Sequence, residues 1–538
     1  MSTQAWLRAV RCGFLLTCAC ASSIQPRPEQ PMLTFAGPTS PATHYTSDPP
    51  AGDALRGPHG VRAGAGIKRA ADSLGQHLVA DPRLAELASL TANALGPSGM
   101  VPAYAVIDFW ARQLGLIEPT PVLLTLQQND GAQVEETVRA SVAKFLARQH
   151  FTHFGAATFE REGGVLVVVV VSTRWTSLKP VPRSVGISEA VHLQGRLLDG
   201  AHDPLLVVSY PDGTSERRAP GHGVDFSLDV PTRGPGEHRV ELLAESPLGV
   251  TVVANIPIYV GIAPPTAITL EAPHAPGELS PDDVNTRMLA LINEDRRHAG
   301  VAPLSMHPGL SEVARKHCVD MDEHAFVGHT SPNTGSAPDR MAKAGIRTPL
   351  VLENIGRSYA PEEIHKGLMD SPGHRANVLS VDATHVGIGT VVQSGDGHIA
   401  YLVTEVFARM AEKIDLDDAA ERLFEAVNNE RERRGHKPLA LNDSLSTLCS
   451  KTAEAFFDAA PGSPNQPLVE ALSRQAGQQK LPYTRLAALM TVVTALDEAA
   501  TLDALLDPKA RGVGLGVAQG TRSDTPQNAI AVVALVAY

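Results

Sequence analysis

The N-terminal part of the chain alternates between helical and strand-like patterns of apolar residues. Residues 82–94 and 134–148 have helical patterns, and 165–171 is an unbroken run of apolar, mostly β-branched residues. A run of this kind is typical of a strand that is buried on both faces. We therefore predict an α+β domain over residues 67–178.

The pattern changes to short alternating runs over residues 179–263. Apolar and polar positions alternate around 190–195 and 238–244, and turn sequences such as Pro211-Asp212-Gly213 separate the runs. Alternation with a period of two predicts half-buried strands, and these turns are typical of hairpins. The segment resembles an immunoglobulin-like β-sandwich, and we predict that it is a spacer without chemistry of its own.

A later buried strand carries a charge. Residues 399–408 are apolar on both faces except for Glu405. A lone carboxylate in such a strand costs several kcal/mol unless it is paired or ligated. His374 is a candidate partner, because Ser371-Pro372 predicts a helix N-cap followed by proline at the first helical position. That start would put His374 in the opening turn of the helix.

Two histidines and two glutamates of this region form the candidate site. They are His329, Glu353, His374 and Glu405. Two imidazoles and two carboxylates form either an ion-paired polar cluster or a site for a divalent metal, and nitrogen with oxygen ligands suits zinc better than calcium. We predict that the four side chains meet in one cleft.

From about Val284 to Ala408 the chain resembles the CAP superfamily, the cysteine-rich secretory, venom-antigen and plant pathogenesis-related proteins, in its bacterial form. The resemblance rests on many spaced motifs in one order: Leu291-Ile292-Asn293, Arg296, Gly300, Pro303-Leu304, His329, Asp339-Arg340, Glu353-Asn354-Ile355, Ser371-Pro372-Gly373-His374-Arg375-Ala376-Asn377-Val378-Leu379, Val386-Gly387-Ile388-Gly389 and Phe407.

This resemblance implies a multidomain α+β protein with a CAP-type α-β-α sandwich over residues 282–410. It also implies a tetrad in an open cleft, whose members would bind a ligand and hold Zn²⁺ or another divalent cation: His329, Glu353, His374 and Glu405. Four further residues would support the tetrad: Arg340, Asn354, Ser371 and Arg375. The family's disulfides do not carry over, because Cys318 is the only cysteine in the segment.

The tail, residues 411–538, repeats the middle segment. Six of its residues stand in the order and spacing of Asn293, Arg296, Gly300, Pro303-Leu304 and Leu310: Asn428, Arg431, Gly435, Pro438-Leu439 and Leu445. A fixed internal spacing predicts a repeated fold, here a degenerate CAP-like copy. Within residues 67–178, the sequences around Gly115 and Gly155 resemble those around Gly345 and Gly387 of the middle segment. These residues are either a third worn copy or an unrelated α+β domain.

The tail does not repeat the tetrad. Its four positions fall at Pro461, about Arg485, about Thr501 and Leu535. Because buried ion clusters can often be replaced by packed apolar residues, the fold does not require these charges. We therefore predict that the tetrad serves function rather than folding.

Composition and the chain ends set further limits. A chain of 538 residues requires several domains, and a net charge of -12 argues against nucleic acid as a partner. Residues 1–23 resemble an export signal of possible lipoprotein type, so we predict a secreted or cell-envelope protein that reaches the membrane only through that anchor. Residues 24–66 are predicted to be a disordered linker, and 264–281 a second linker.

Three functions are compatible with these features. The first is an exported, non-enzymatic module that binds a lipid or another envelope component, and the resemblance favours it. The second is a metal-dependent hydrolase in which the tetrad-bound ion activates water. The third is a structural envelope protein with an unused site. Ser371 is predicted to be an N-cap rather than a nucleophile, and three histidines are predicted to be solvated: His317, His324 and His365.

Overall fold

The computed structural model describes most of the chain. The described residues are 32–95, 101–119, 121–147, 150–247, 249–271, 279–324, 326–395, 398–479 and 481–538. The export signal predicted over 1–23 lies outside them. Within these ranges no helix is long and apolar enough to cross a bilayer. Cys318 and Cys449 are buried and free, as expected for a fold without a disulfide framework.

The predicted disordered linker is structured in its described part, so that prediction was wrong there. It contains β1 (Met32–Ala36), β2 (His44–Tyr45) and β3 (Leu55–Arg56). The first strand pairs antiparallel with residues 267–271, which lie in the second predicted linker. Tyr45 is fully buried, and its hydroxyl donates to the carbonyl of Pro257. Composition could not reveal the ladder, because its two strands are far apart in the sequence.

The N-terminal block is a sheet with helices packed against it. Its further elements are α1 (Gly60–Ser73), β4 (Val79–Ala80), α2 (Pro82–Ala94), α3 (Tyr104–Gln113), β5 (Val122–Gln128), α4 (Val134–Leu146), β6 (His153–Arg161) and β7 (Gly164–Ser172). Three of these confirm the predicted elements: α2, α4 and β7. The strands run in the order β3-β6-β7-β5, and β4 also pairs with β6.

Two sheets with one shared core follow. Their strands are β8 (Thr176–Leu178), β9 (Val181–Pro182), β10 (Ser184–Val185), β11 (Val191–Leu197), β12 (His202–Ser209), β13 (Ser215–Arg218), β14 (Asp225–Val230), β15 (Gly236–Ser246), β16 (Gly249–Asn255), β17 (Ile258–Val260) and β18 (Ala267–Glu271). One sheet has the order β14-β11-β8, and the other β10-β17-β15-β12-β13 with β16 beside β15. Leu193 and Phe226 of the first meet Leu206 and Leu242 of the second in one apolar core.

The middle domain places a sheet between two helical layers. Its elements are α5 (Pro281–His298), β19 (Ser305–Met306), α6 (Pro308–His324), α7 (Ala337–Lys343), β20 (Val351–Ser358), α8 (Pro361–Asp370), α9 (Pro372–Val378), β21 (His385–Gly395) and β22 (His398–Ala408). The strand order β19-β21-β22-β20 leaves β20 at an edge. Helices α5, α8 and α9 cover one face of the sheet, and α6 and α7 cover the other.

The tail builds the same sheet from different residues. Its elements are α10 (Ala419–Arg433), β23 (Ala440–Leu441), α11 (Asp443–Asp458), α12 (Gln466–Gly477), β24 (Leu486–Val493), α13 (Leu496–Ala500), α14 (Asp503–Leu506), β25 (Gly512–Gly520) and β26 (Ala529–Ala537). The order β23-β25-β26-β24 has one parallel and two antiparallel pairs, as in the middle domain. The path β4-β6-β7-β5 of the N-terminal block has the same directions.

Three glycines fix the correspondence between these sheets. A Cβ at Gly387 would lie 2.1 Å from the carbonyl carbon of Leu310 on the helix above. A Cβ at Gly514 would meet Leu445 at 2.3 Å, and one at Gly155 would meet the backbone nitrogen of Ala85 at 2.2 Å. Each strand can approach its helix only without a side chain at this point. The three glycines are therefore equivalent positions, and the pairing of their strands identifies the equivalent residues on the neighbouring strands.

Candidate functional site

Glu353 forms the charged centre of the site. It lies on the edge strand β20, on the face that packs against α6 and α7. One carboxylate oxygen contacts Nδ1 of His329 at 2.9 Å, and the other forms an ion pair with the buried guanidinium of Arg340. Burial alone would raise the pKa of Glu353, but the hydrogen bond with His329 and the charge of Arg340 hold that pKa below its usual value.

The hydrogen bond with Glu353 determines the tautomer of His329. An ionised carboxylate only accepts hydrogen bonds, so Nδ1 of His329 must be the donor. Nε2 then remains for an external group, and about a third of the His329 side chain (30%) is exposed. Glu353 therefore orients the histidine in the way that outer-shell carboxylates orient ligand histidines elsewhere.

His374 enters from the other side of the edge strand. Ser371 is the N-cap of α9, its hydroxyl accepts from the backbone N–H of His374, and Pro372 occupies the first turn, which confirms the predicted helix start. The ring centroids of His374 and His329 are 6.4 Å apart. Burial, and then the proximity of His329, lower the pKa of His374 to about 3, so the imidazole is neutral at ordinary pH.

Glu405 lies on the face of the sheet opposite to Glu353, the face that α9 and its His374 cover. It alternates along β22 with Val403 and Phe407, which face the α5, α8 and α9 layer, whereas Glu353 faces α6 and α7. Glu405 is fully buried, and its carboxylate accepts from the side-chain amide of Asn354 at 3.0 Å. Burial raises the pKa of Glu405 to about 7, and the bond from Asn354 only partly offsets this. The two glutamates of the predicted tetrad therefore face opposite sides of the sheet, and Glu405 shares its side with the helix that carries His374.

Side-chain amides connect the two halves. Asn354 also donates to the carbonyl of His374 at 3.3 Å, and Asn377 donates to the side-chain oxygen of Asn354 at 3.0 Å. A second contact runs from the amide of Asn377 to the carbonyl of Glu353 at 3.2 Å. These bonds hold α9 against the edge strand and so fix where His374 stands relative to β20.

The four-residue metal cage does not fit this arrangement. Both oxygens of Glu353 are already bound, to His329 and to Arg340. Glu405 has one oxygen without a hydrogen-bond partner among the described residues, but it faces the side of the sheet opposite to Glu353. Within the described part of the chain, no three His, Cys, Asp or Glu side chains are placed to hold one ion. The donors that remain at the open edge are the imidazoles of His329 and His374.

A buried histidine lies beneath the site and was predicted wrongly to be solvated. His317 has no exposed surface, its Nε2 contacts the carbonyl of Gly328 at 3.0 Å, and it lies 3.9 Å from Glu353. Burial lowers its pKa. The spacing of Val313, Cys318 and Met321 on α6 places His317 on the buried face, and this was the available signal.

Three other expectations about single residues have different outcomes. His365 is also buried and pairs with Asp295 at 2.8 Å, so it was wrongly predicted to be solvated. His324 is half exposed beside Asp320, as predicted. Arg375 was predicted to support the site, but its guanidinium lies against the Gly213 turn of the β-sandwich.

The equivalence of Gly387 and Gly514 corrects two of the tail residues that the sequence had placed at tetrad positions. Glu405 pairs with the residue after Gly387, and the residue after Gly514 pairs with Ala534 rather than with Leu535. On the edge strand, Ala488 rather than Arg485 occupies the Glu353 position. A slip of one residue moves a side chain to the other face of the sheet. The tail is therefore apolar at both glutamate positions.

The His374 position and the N-terminal block are consistent with this difference. Arg296 binds the carbonyl of Val378, and Arg431 binds that of Leu505 in the same way. Counting back four residues from Leu505 reaches Thr501, which ends α13 instead of lying in the first turn of a helix as His374 does. In the N-terminal block the same strand register places apolar residues at the positions of Glu353 and Glu405. They are Leu123 and Val169.

Comparison with known proteins identifies the middle domain. A model of the Cysteine-rich secretory protein family, CAP, matches residues 289–407. "Uncharacterized protein YkwD" of Bacillus subtilis is 38% identical over 110 residues, which are 20% of this chain and 42% of that protein. "Uncharacterized membrane protein YlbC" of the same organism is 34% identical over 105 residues, 19% of this chain and 30% of that one. The chain thus spans less than half of either relative.

Two solved structures are also similar to this chain, at low sequence identity. An extracellular protein containing a SCP domain from Bacillus anthracis has 19% identity and a TM-score of 0.22, covering 33% of this chain and 65% of that one. A cysteine-rich secretory protein from Staphylococcus aureus has 13% identity and a TM-score of 0.20, covering 52% and 95%.

Proposed function

Residues 289–407 are a CAP domain, and from that premise we propose that the chain is an exported bacterial envelope protein that binds a ligand at the His329–His374 edge of this domain. One observation supports the proposal above all others. Three sheets in the chain share one strand order, and only the middle one carries glutamates at the positions of Glu353 and Glu405. Since the other two are apolar there, folding does not explain the polar site.

We also propose an origin for the tail and the N-terminal block. The tail and the N-terminal block are taken as degenerate CAP copies, because they repeat the strand directions and the glycine contacts of the middle domain. Arg431 also repeats the carbonyl contacts of Arg296. Both blocks retain scaffold and lack the site, so binding is assigned to the middle domain alone.

The imidazoles of His329 and His374 can act together as a neutral pair of hydrogen-bonding groups at the edge of the sheet. Glu353 holds His329 with Nε2 outward, and His374 is neutral. Such a pair would take polar groups of a lipid headgroup or another envelope component. It would also supply two nitrogen ligands to Zn²⁺, which bonds histidine at about 2.0–2.1 Å, with the other positions left to the ligand or water.

The hydrolase alternative receives less support. A serine nucleophile would need a free hydroxyl beside a histidine base, but Ser371 is engaged as the N-cap of α9. A general base among the glutamates is equally poorly placed, because Glu353 is bound by Arg340 and Glu405 faces the opposite helical layer. We therefore favour binding over turnover.

Thermal unfolding of the full chain during Zn²⁺ titration tests the proposal. A ligand that binds only the native state stabilises it by about 2.7 kcal/mol at a hundred times its dissociation constant. The wild type and His365→Ala should be stabilised, because His365 lies away from the site against Asp295. His329→Ala and His374→Ala should not. Equal stabilisation of all four proteins would refute metal binding at this edge.

A panel of labelled peptides and esters separates binding from hydrolysis. Wild type, Glu353→Gln and Glu405→Gln should all fail to release product. Turnover by the wild type that either substitution abolishes would favour the hydrolase. Binding of fluorescent lipid in vesicles that depends on His329 and His374 would instead identify the ligand class of the binding module.

A further inference from the structure

The two histidine-bearing segments of the site are both in contact with the β-sandwich. The contacts come from a single hairpin, formed by β15 and β16. The sequence predicted the sandwich to be a spacer, so these contacts were not expected. They lie at the edge of the middle sheet where His329 and His374 approach each other.

One end of the hairpin holds the helix that carries His374. Glu241 on β15 is almost fully buried, and its carboxyl oxygen accepts from the backbone N–H of Gly373 at 2.9 Å. Ser371 also hydrogen-bonds this carboxyl group. Leu243, two residues along the same strand face, lies against Gly373. The residue before His374 is thus clamped by the sandwich.

The other end of the hairpin lies against the His329 segment. Gly249 begins β16 with a φ of +92°, and a Cβ there would lie 2.7 Å from the hydroxyl of Thr330 and 3.4 Å from Cβ of His329. A methyl group there would displace the Thr330 hydroxyl and touch Cβ of His329, and the positive φ disfavours any side chain. Gly249 therefore packs directly against the segment that carries His329.

We propose that the β15–β16 hairpin is a wall of the binding site and positions His329 relative to His374. This deepens the proposed function and rests on it, because the same two imidazoles are the ligand-facing groups. Glu241 and Gly249 act as positioning residues: neither touches an imidazole nitrogen, and each contacts the segment that holds one. A ligand that bridges the imidazoles would then bind to two domains.

A third contact fixes the register of this junction. Arg239, on the same strand as Glu241, pairs with Asp370 at the end of α8. Together the contacts span the last residue of α8, the first turn of α9 and the loop at Thr330. A rigid-body shift of the sandwich would therefore change the separation of the two histidine segments.

Chemical modification of histidine in the full chain tests the proposal. Diethyl pyrocarbonate modifies accessible neutral imidazoles, and mass spectrometry reads the rate at each residue. Gly249→Ala should raise the rates of both His329 and His374 at least threefold. The matched control is Gly163→Ala, at a hairpin glycine of nearly equal φ (+89°) with nothing within 4 Å of its Cβ position. That variant should leave both rates unchanged.

Buried His365 reports whether the middle domain stays folded. Should Gly249→Ala also expose His365, Glu241→Gln and Leu243→Ala replace it, and at least one should change the rate of His374 with His365 still protected. Unchanged rates of both site histidines in a folded variant of each kind would overturn the proposal. Protection of the two histidines by Zn²⁺ in the wild type is a separate readout, whose failure would count against the proposed function and not against the hairpin.

Discussion

The middle domain and the tail have the same backbone plan but different residues at one edge. In both, an asparagine on the first helix forms paired bonds with a later leucine, Asn293 with Leu304 and Asn428 with Leu439. At the edge strand, Glu353 of the middle domain is replaced by Ala488 in the tail. The shared residues bind backbone groups, whereas the residue that differs binds side chains at the edge.

This difference separates polar residues that recur with the backbone plan from polar residues that do not. Backbone carbonyls need partners in every copy, since a buried unpaired carbonyl is costly. Arg340 also donates to the carbonyls of His329 and Gly335, but the carboxylate of Glu353 binds no backbone group among the described residues, and the N-terminal block has Leu123 at its position. The charged edge is thus an addition to a scaffold that folds without it.

The largest effect is expected when the middle domain is given apolar residues at its charged edge, as in the tail and the N-terminal block. Glu353→Leu alone leaves Arg340 buried without its partner and should cost about 3–5 kcal/mol of local stability. Glu353→Leu with Arg340→Met removes both charges and should be clearly less destabilised than the sum of the two single variants. A loss of about 1–3 kcal/mol should remain, because the carbonyls of His329 and Gly335 lose the guanidinium. Hydrogen exchange of the β20 amides measures the local free energy of opening.

The double variant decides what this cycle means. If its loss of stability equals the sum of the losses of Glu353→Leu and Arg340→Met measured singly, the ion pair is part of the fold and the argument from the tail is lost. His329→Ala serves as the control, because it removes the hydrogen bond to Glu353 but leaves Arg340 paired.

Glu405 should make the middle domain weaker at alkaline pH. Its pKa rises from 4.5 to about 7 in the folded protein, so the native state binds a proton that the unfolded state has lost. Stability from this group therefore falls as pH rises from about 4.5 to above 7, by about 3 kcal/mol. Glu405→Gln should remove that fall, seen as hydrogen exchange of β22 at pH 5.5 and 8. A parallel pH dependence in both proteins would show that Glu405 titrates normally.

The sequence predicted the buried strand β22 and the capped start of α9. Ser371-Pro372 is a local signal, so His374 could be placed in its helical turn without the structure. The face of Glu405 could not be predicted in the same way. Glu353 pairs with Val406 and not with Glu405, and only the strand register reveals this. Motif spacing brought the four residues to one domain, but it could not show that Glu353 and Glu405 face opposite sides of the sheet.

The other errors have the same physical origin. Leu535 was placed at the Glu405 position by spacing, although the pairing of Gly514 puts Ala534 there. The ladder between β1 and β18 was missed because each strand lies in a segment rich in turn residues and pairs only at long range. The contact of Gly249 with Thr330 is likewise invisible locally.

The shared arginines should respond equally in the two regions. Arg296 donates to carbonyls at Ala302 and Val378, and Arg431 repeats these bonds. Lysine keeps the charge but cannot reach several carbonyls in the fixed geometry of a guanidinium. Arg296→Lys and Arg431→Lys should each cost about 2 kcal/mol in their own domain. Hydrogen exchange at β21 and β25 reads the two effects, and a loss in only one domain would contradict equivalence.

The smallest expected effect separates the His374 position from Thr501 of the tail. The pKa of His374 falls from 6.5 to about 3 on folding, so the unfolded state binds a proton that the native state excludes. Its contribution is present above pH 6.5 and is lost as pH falls towards 3, by about 1–2 kcal/mol once partial exposure is allowed for. His374→Thr should make α9 less sensitive to acid in hydrogen exchange at pH 4.5 and 7. His192→Thr, on the exposed surface of the sandwich, is the control and should behave as wild type. If His374→Thr is as acid-sensitive as wild type, this histidine does not carry the burial that distinguishes the middle domain from the tail.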